Sequence, residues 1–212
     1  METAPTDWRV CPPVELTPLL RHAAEAFFDQ GFHGTSVRDI AGRVGVTVPA
    51  LYYHHENKEA ILLAVLRSSM VDLLPRGEAA IADGHGDPVL ELANLVQSNV
   101  LHLARRARFV ALDSETRYLS PQARNEYIEL RRAVERLTRK VVQRGVDRGV
   151  FHAVDVAVST RAILGMLQAI PRWYKDTGEM SPSQLAQRYA ELSLALLGIP
   201  PEECARVSAS AS

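Results

Sequence analysis

TSVRDIAGRVGVTVPALYYHHENKEAI, residues 35–61, has the pattern of two short helices around a glycine turn, followed at once by the start of a longer helix. Ser36 with Asp39 three residues on is a capping box, which predicts a helix over 37–44 with Val37, Ile40, Ala41 and Val44 facing inward. Gly45 ends that helix and Val46 is expected to turn back into the core. Thr47 then caps a helix over about 48–54, with Pro49 tolerated in its first turn. Asn57 caps the next helix, which opens with Lys58 and Glu59. This spacing is that of a helix-turn-helix, in which the second helix enters a DNA groove.

Outward from this stretch, Thr17 and Pro18 supply an N-cap and a first-turn proline for a helix over 19–30 that ends at Gly31, with Phe32 expected to plug a small core. Residues 1–16, with Pro5, Pro12 and Pro13, read as a flexible N-terminal arm. Downstream, the helix from Lys58 is expected to reach Pro75, and residues 76–88, rich in Gly and Asp, read as a loop. Long helices follow over about 88–114, from 121 to near Gly145 or Gly149, over 153–174 and over 182–197, before a tail. No strand-like alternation of useful length and no repeat occurs. The expectation is an all-α chain of about nine helices: an arm (1–16), a helix-turn-helix domain (17–60), a ligand-binding and dimerisation domain (61–198) and a C-terminal tail (199–212).

Composition narrows the function. Apolar residues make up 47% of the 212, aromatics only 6%, and the formal net charge is −1, which argues against nonspecific coating of nucleic acid. Residues 1–60 hold five Lys/Arg against eight Asp/Glu, so DNA reading must rest on helix-start amides and a few well-aimed side chains, doubled by dimerisation. Cys11 and Cys204 fall in the expected tails without metal-ligand spacing, as in a reduced, cytoplasmic protein. No signal-length apolar stretch and no 18-residue uncharged apolar run occurs, so no membrane association is expected. His33, His102 and His152 share no spacing that makes a metal site, and no nucleophile elbow, phosphate loop or zincin helix is present. Neither metal, cofactor nor catalysis is therefore expected.

The stretch GTSVRDIAGRVGVTVPALYYHHENKEAIL resembles the N-terminal domain of the TetR family of bacterial regulators, and the likeness runs from about Leu19 to Leu66. It implies a homodimer on a palindromic double-stranded operator, released when a small-molecule effector binds the larger domain. Residue by residue, it places Thr47, Val48, Pro49 and Ala50 at the reader-helix start. Tyr52 and Tyr53 match the aromatic pair against backbone and groove, Lys58 matches a phosphate-reaching lysine, and Thr35, Ser36 and Arg38 stand where helix two meets phosphate. Packing against the first helix competes for the two tyrosines. His55 stands where the family has phenylalanine. No Arg, Asn or Gln occupies the four positions that open the reader, so readout is expected through methyl contacts, DNA shape or water.

The segment AIPRWYKDTGEMSPSQLAQRYAELSLALLGI resembles the ending of family members that regulate lipid or sterol degradation in response to acyl-coenzyme A thioesters. That implies a bulky, partly apolar effector, with Arg105, Arg106 and Arg108 as partners for its phosphates and Phe109, Met166 and Trp173 lining its cavity. A solvated arginine face and ordinary core packing are the competing readings. A regulator of multidrug-efflux type, or a helical ligand-binding dimer that has lost DNA binding, are the alternatives. Ala157, Gly165, Ala169, Leu185, Leu192 and Leu196 offer small and apolar faces for a four-helix dimer interface.

Overall fold

The computed structural model describes residues 7–175 and 177–210, and every regular element among them is helical. In chain order these are α1 (Pro18–Gly34), α2 (Val37–Val44), α3 (Val48–His54), α4 (Lys58–Met70), α5 (Leu73–Ala82), α6 (Pro88–Arg105) and α7 (Ala107–Ala111). A 3-10 segment, Leu112–Tyr118, follows, then α8 (Pro121–Asp147), α9 (Val156–Gln168), α10 (Ile170–Trp173), α11 (Pro182–Leu196) and α12 (Pro201–Ser210). The residues divide into two compact units.

The reader unit comprises 13–71 and 106–131. Its core packs Ala23, Ala24 and Phe27 of α1 against Ile40, Leu51 and the Ile61, Leu62, Val65, Leu66 face of α4, with Leu112, Leu119 and Tyr127 from the later segment. Burial and the nearby Asp113 carboxylate push the Tyr127 phenol up, so it stays neutral. One expectation changes here. Val46 is exposed instead of turning inward, because Gly45 at φ 77° already closes α2 and Leu51 fills the site beneath α3. Phe28 is also exposed, its ring 4.5 Å from the Arg108 guanidinium.

The second unit comprises 72–105, 132 onward and the N-terminal residues up to Pro12. α6 lies at its centre, with Leu92, Val96 and Val100 packed among Val141 and Val142 of α8, Ile163 and Leu167 of α9, and Leu185, Ala190 and Leu194 of α11. Residues 76–82, expected in a loop, belong to α5. Tertiary contacts override the Gly-containing composition there: Arg76 and Ala80 are buried, and Asn94 Nδ2 donates to the Ala80 carbonyl at 3.1 Å. The expected helix over 153–174 breaks after Gln168, just before Pro171, which supplies no backbone N–H. The expected helix over 88–114 ends at Arg105, and Arg106 (φ −116°, ψ 24°) turns the chain.

Both expected tails are corrected where they are described. Residues 1–6 of the arm lie outside the described residues, but Trp8 is 2% exposed. Its indole donates to Asp83 Oδ2 at 3.0 Å, and its carbonyl accepts from Arg76 Nη2 at 2.8 Å. Arg9 donates to the same Asp83 oxygen at 2.9 Å while lying 4.2 Å from the Trp8 ring centroid. Residues 201–210 form α12, which buries Cys204 and Val207 in the core around α6. Cys11 and Cys204 are thus buried free thiols.

Candidate nucleic-acid interface

Each of α1 to α4 starts on a side-chain cap. Thr17 Oγ1 accepts from Leu20 N (3.3 Å), Thr47 Oγ1 from Ala50 N (3.3 Å) and Asn57 Oδ1 from Ala60 N (2.8 Å). The capping box is reciprocal: Asp39 N donates to Ser36 Oγ at 3.1 Å and Ser36 N to Asp39 Oδ2 at 2.9 Å. Those bonds to Ser36, side chain first, hold the Asp39 carboxyl below its ordinary range. The caps fix where α2 and α3 begin, and therefore where their free N-terminal amides point.

α3 is held from below and open above. Leu51 is fully buried, and the His55 amide donates to its carbonyl at 3.1 Å. Thr47, Pro49, Ala50, Tyr52 and Tyr53 are exposed and Val48 half-buried; Tyr53, at 86%, is among the most exposed large side chains of the described residues. Its ring meets His54 edge-on at 5.2 Å. Ser36 and Arg38 are exposed at the start of α2. Seven of the ten residues expected to meet DNA are therefore exposed on α2, α3 or their N-caps, with Val48 half-buried among them.

The other two are placed differently. Thr35 is buried, and its hydroxyl lies 3.0 Å from the Ala26 carbonyl and 2.9 Å from that of Gly31. Lys58 Nζ donates to the Phe32 carbonyl at 2.6 Å and to the Thr35 carbonyl at 2.8 Å, and sits 4.3 Å from the Phe32 ring centroid. Two of its three N–H donors are spent on backbone, and burial pulls its pKa down. In the single chain its ammonium is an internal cap on the α1–α2 turn. His55 is half-buried, and burial, then the neighbouring His54, lowers its pKa.

Two sequence signatures cover most of the chain. That of the bacterial regulatory proteins, tetR family, matches residues 19–65, and that of the tetracyclin repressor-like C-terminal domain matches residues 85–197. The chain belongs to the TetR family. It is thus a helix-turn-helix transcriptional regulator and not an enzyme. It is 33% identical over 184 residues to the transcriptional repressor KstR2 of Mycolicibacterium smegmatis, spanning 85% of this chain and 88% of that one. Among solved structures, the TetR-family regulator PfmR from Thermus thermophilus superposes with a TM-score of 0.76 at 34% identity, over 84% of this chain and 97% of PfmR. AibR, determined in complex with isovaleryl coenzyme A and operator DNA, superposes with a TM-score of 0.70 at 26% identity, over 82% of this chain and 95% of AibR.

The residues expected to bind a TetR-type effector fall in both units. Arg105 is exposed; Arg106 is 4% exposed and donates through Nη1 to the Ser69 carbonyl at 2.8 Å. Arg108 pairs with Asp29 at 3.4 Å. These three arginines flank the break between α6 and α7. Phe109 packs on the reader core, Met166 on the core around α6, and Trp173 is exposed. The periodic pattern of α6 concealed a different feature: Glu91, Asn94, Gln97, Ser98, Asn99 and His102 are all buried on it. Its signal was polar residues recurring inside an apolar helix.

Of the six dimerisation candidates, Gly165, Ala169, Leu192 and Leu196 are exposed, with Leu192 at 53%, and Ala157 is half-buried. Leu185 is corrected to core, because its side chain is buried in the cluster around α6. No helix among the described residues is long and apolar enough to cross a membrane, and no group of metal-ligating side chains occurs among them.

Proposed function

We propose that the protein is a homodimeric repressor that reads a palindromic operator with α2 and α3 and leaves it on binding a bulky, partly apolar effector of the acyl-coenzyme A class. The observation that carries the DNA half is the exposed row Thr47, Pro49, Ala50, Tyr52 and Tyr53 above a fully buried Leu51. A helix anchored beneath and bare on top is what a groove reader requires. Ser36, Arg38 and Val48 complete the contact set.

Likeness to KstR2, a repressor by name, and to AibR with its isovaleryl coenzyme A and operator supports the repressor and thioester readings. Buried acceptors on α6, Asn94 Oδ1, Ser98 Oγ and Asn99 Oδ1, have no donor among the described residues, which supports a ligand carrying hydrogen-bond donors within this unit. Dimerisation is supported by Val158 and Gly165 on α9, Ala169 just after it, and Leu192 and Leu196 on α11, all solvent-exposed in the single chain.

The test has two arms. The DNA upstream of the protein's own gene is expected to be shifted by wild type and not by Tyr53→Ala at matched salt; equal binding refutes the reader. A thermal-shift panel of isovaleryl coenzyme A, longer acyl-coenzyme A thioesters, free fatty acids and cationic multi-ring drugs is expected to show stabilisation by thioesters. Stabilisation by the drugs alone refutes the thioester reading in favour of a multidrug-type regulator.

A further inference from the structure

The turn between α1 and α2 is held by residues far along the chain. Gly31 takes φ 71°, ψ 170°, a conformation that strains any residue with a Cβ, and it interrupts α1 so that the Phe32 amide leaves the helical ladder. That N–H donates to Glu115 Oε2, 83 residues further on, at 2.7 Å. On the other side of the same residue, the Phe32 carbonyl accepts from Lys58 Nζ. Its ring stacks with Phe27 (5.7 Å, 30°) and with Tyr118 (5.6 Å, 13°), and Tyr118 also meets His33 edge-on at 4.2 Å. Phe32 is therefore gripped at its donor and ring by the 3-10 segment and at its acceptor by α4.

Two further contacts come from the same later segment. Arg108 pairs with Asp29 and covers Phe28 on α1, and Arg106 Nη1 donates to the Ser69 carbonyl near the end of α4. The family signatures leave 106–118 inside the C-terminal match, whereas its contacts place it in the reader unit. An apolar residue at 115 would strand a buried amide, at a penalty comparable to a lost hydrogen bond. A carboxylate supplies the strongest acceptor for it.

We propose that Glu115 and Tyr118 are positioning residues for DNA reading. The segment 107–118 is a brace that fixes the α1–α2 turn, and with it the placement of α2 and α3 on α1. The DNA readout of this proposal rests on the operator reading above; the exchange readout does not.

The test uses the full chain. Glu115→Ala is expected to accelerate amide exchange across residues 37–54 about tenfold while residues 61–66 of α4 change little, and to weaken binding to the upstream DNA about tenfold. Glu115→Gln, whose amide oxygen still accepts from Phe32 N–H, is expected to restore most of both effects, and Glu115→Leu neither. A merely stabilising residue would speed exchange through α2, α3 and α4 alike, and that result overturns the proposal, as does unchanged exchange at 37–54. Tyr118→Leu removes only the stacked ring and is expected to give the same selective pattern, which keeps the test decisive if Glu115→Ala does not fold. Should wild type bind no operator while the selective pattern holds, the operator reading falls and the brace stands.

Discussion

Lys58→Met separates two roles for one lysine. The substitution keeps an unbranched apolar stem and removes an ammonium that donates to Phe32 O at 2.6 Å and Thr35 O at 2.8 Å and lies 4.3 Å from the Phe32 ring. Hydrogen bonds to a charged group contribute about 1.5–3 kcal/mol each and the ring contact roughly 0.5–1 kcal/mol. The side chain is half-buried, so water replaces part of the loss, and partial burial of the ammonium already offsets part of the gain. A net loss of about 2 kcal/mol follows, which corresponds to exchange faster by roughly 30-fold at the slowest amides of α1 and α4. Exchange is the right assay because a chain of two units does not yield a single unfolding free energy. The slope of log affinity against log salt for the operator is expected to stay unchanged. If exchange is unaffected and that slope becomes shallower by about 0.9 for each lysine removed, Lys58 reaches a phosphate and the capping role is refuted.

Trp8→Ala, which empties a fully buried indole site and removes the indole N–H that Asp83 accepts, is expected to destabilise the second unit by about 3–5 kcal/mol. Thermal unfolding followed by the fluorescence of the remaining Trp173 reads this, and an unchanged midpoint would restore the arm to a passive role. Burial holds the His55 imidazole below its ordinary value of 6.5, so the unfolded chain takes up the proton first as pH falls. Its contribution is present above about 6.5 and lost as pH drops from there toward the folded value; His55→Phe is expected to flatten the fall in melting temperature between about pH 7.5 and 5.5. Parallel curves for the two proteins would exclude His55 as the acid-sensitive group. Leu192→Glu puts a charge on the exposed α11 face and is expected to yield monomers in sedimentation, whereas Leu185→Glu is expected to unfold the second unit; a dimeric Leu192→Glu protein would place the interface elsewhere.

What the sequence revealed and what it hid divide by distance along the chain. Ser36–Asp39, Thr47, Thr17 and Asn57 act on amides three residues away, so their caps were legible, and all four carry the expected bond. The two carbonyls that Lys58 meets, those of Phe32 and Thr35, were not legible because they are set by how α1 lies across α4, and Thr35 turns back onto Ala26 and Gly31 at the kink in α1, which no cap pattern announces. Glu115 was passed over for the same reason, its partner being 83 residues back. Arg106 shows the complementary error: Arg105, Arg106 and Arg108 read as one patch, but the helix breaks at Arg106, which is buried on the Ser69 carbonyl while Arg108 pairs with Asp29. Trp8 sat in a proline-rich stretch whose composition suggested mobility, yet one large aromatic with an indole donor and a buried arginine to hold its carbonyl is enough to pin the segment.

The shortage of positive charge links the reader to its supports. Across α1, α2 and α3 the exposed basic side chains other than histidine are Arg21, Arg38 and Arg43, so two protomers together present at most six such cations to phosphate. The salt dependence of operator affinity should then have a slope no steeper than about −5. A module this poor in counterion release gains little from loose electrostatic attraction and must rely on amides at the starts of α2 and α3 meeting phosphate in fixed geometry. Fixed geometry is what the caps at Ser36 and Thr47, the internal cap at Lys58 and the grip of Glu115 on Phe32 supply. Titration of the upstream DNA at salt concentrations from about 50 to 200 mM decides the matter. A slope well beyond about −5 would show that cations outside α1–α3 carry the binding, and the dependence on rigid placement would lose its basis.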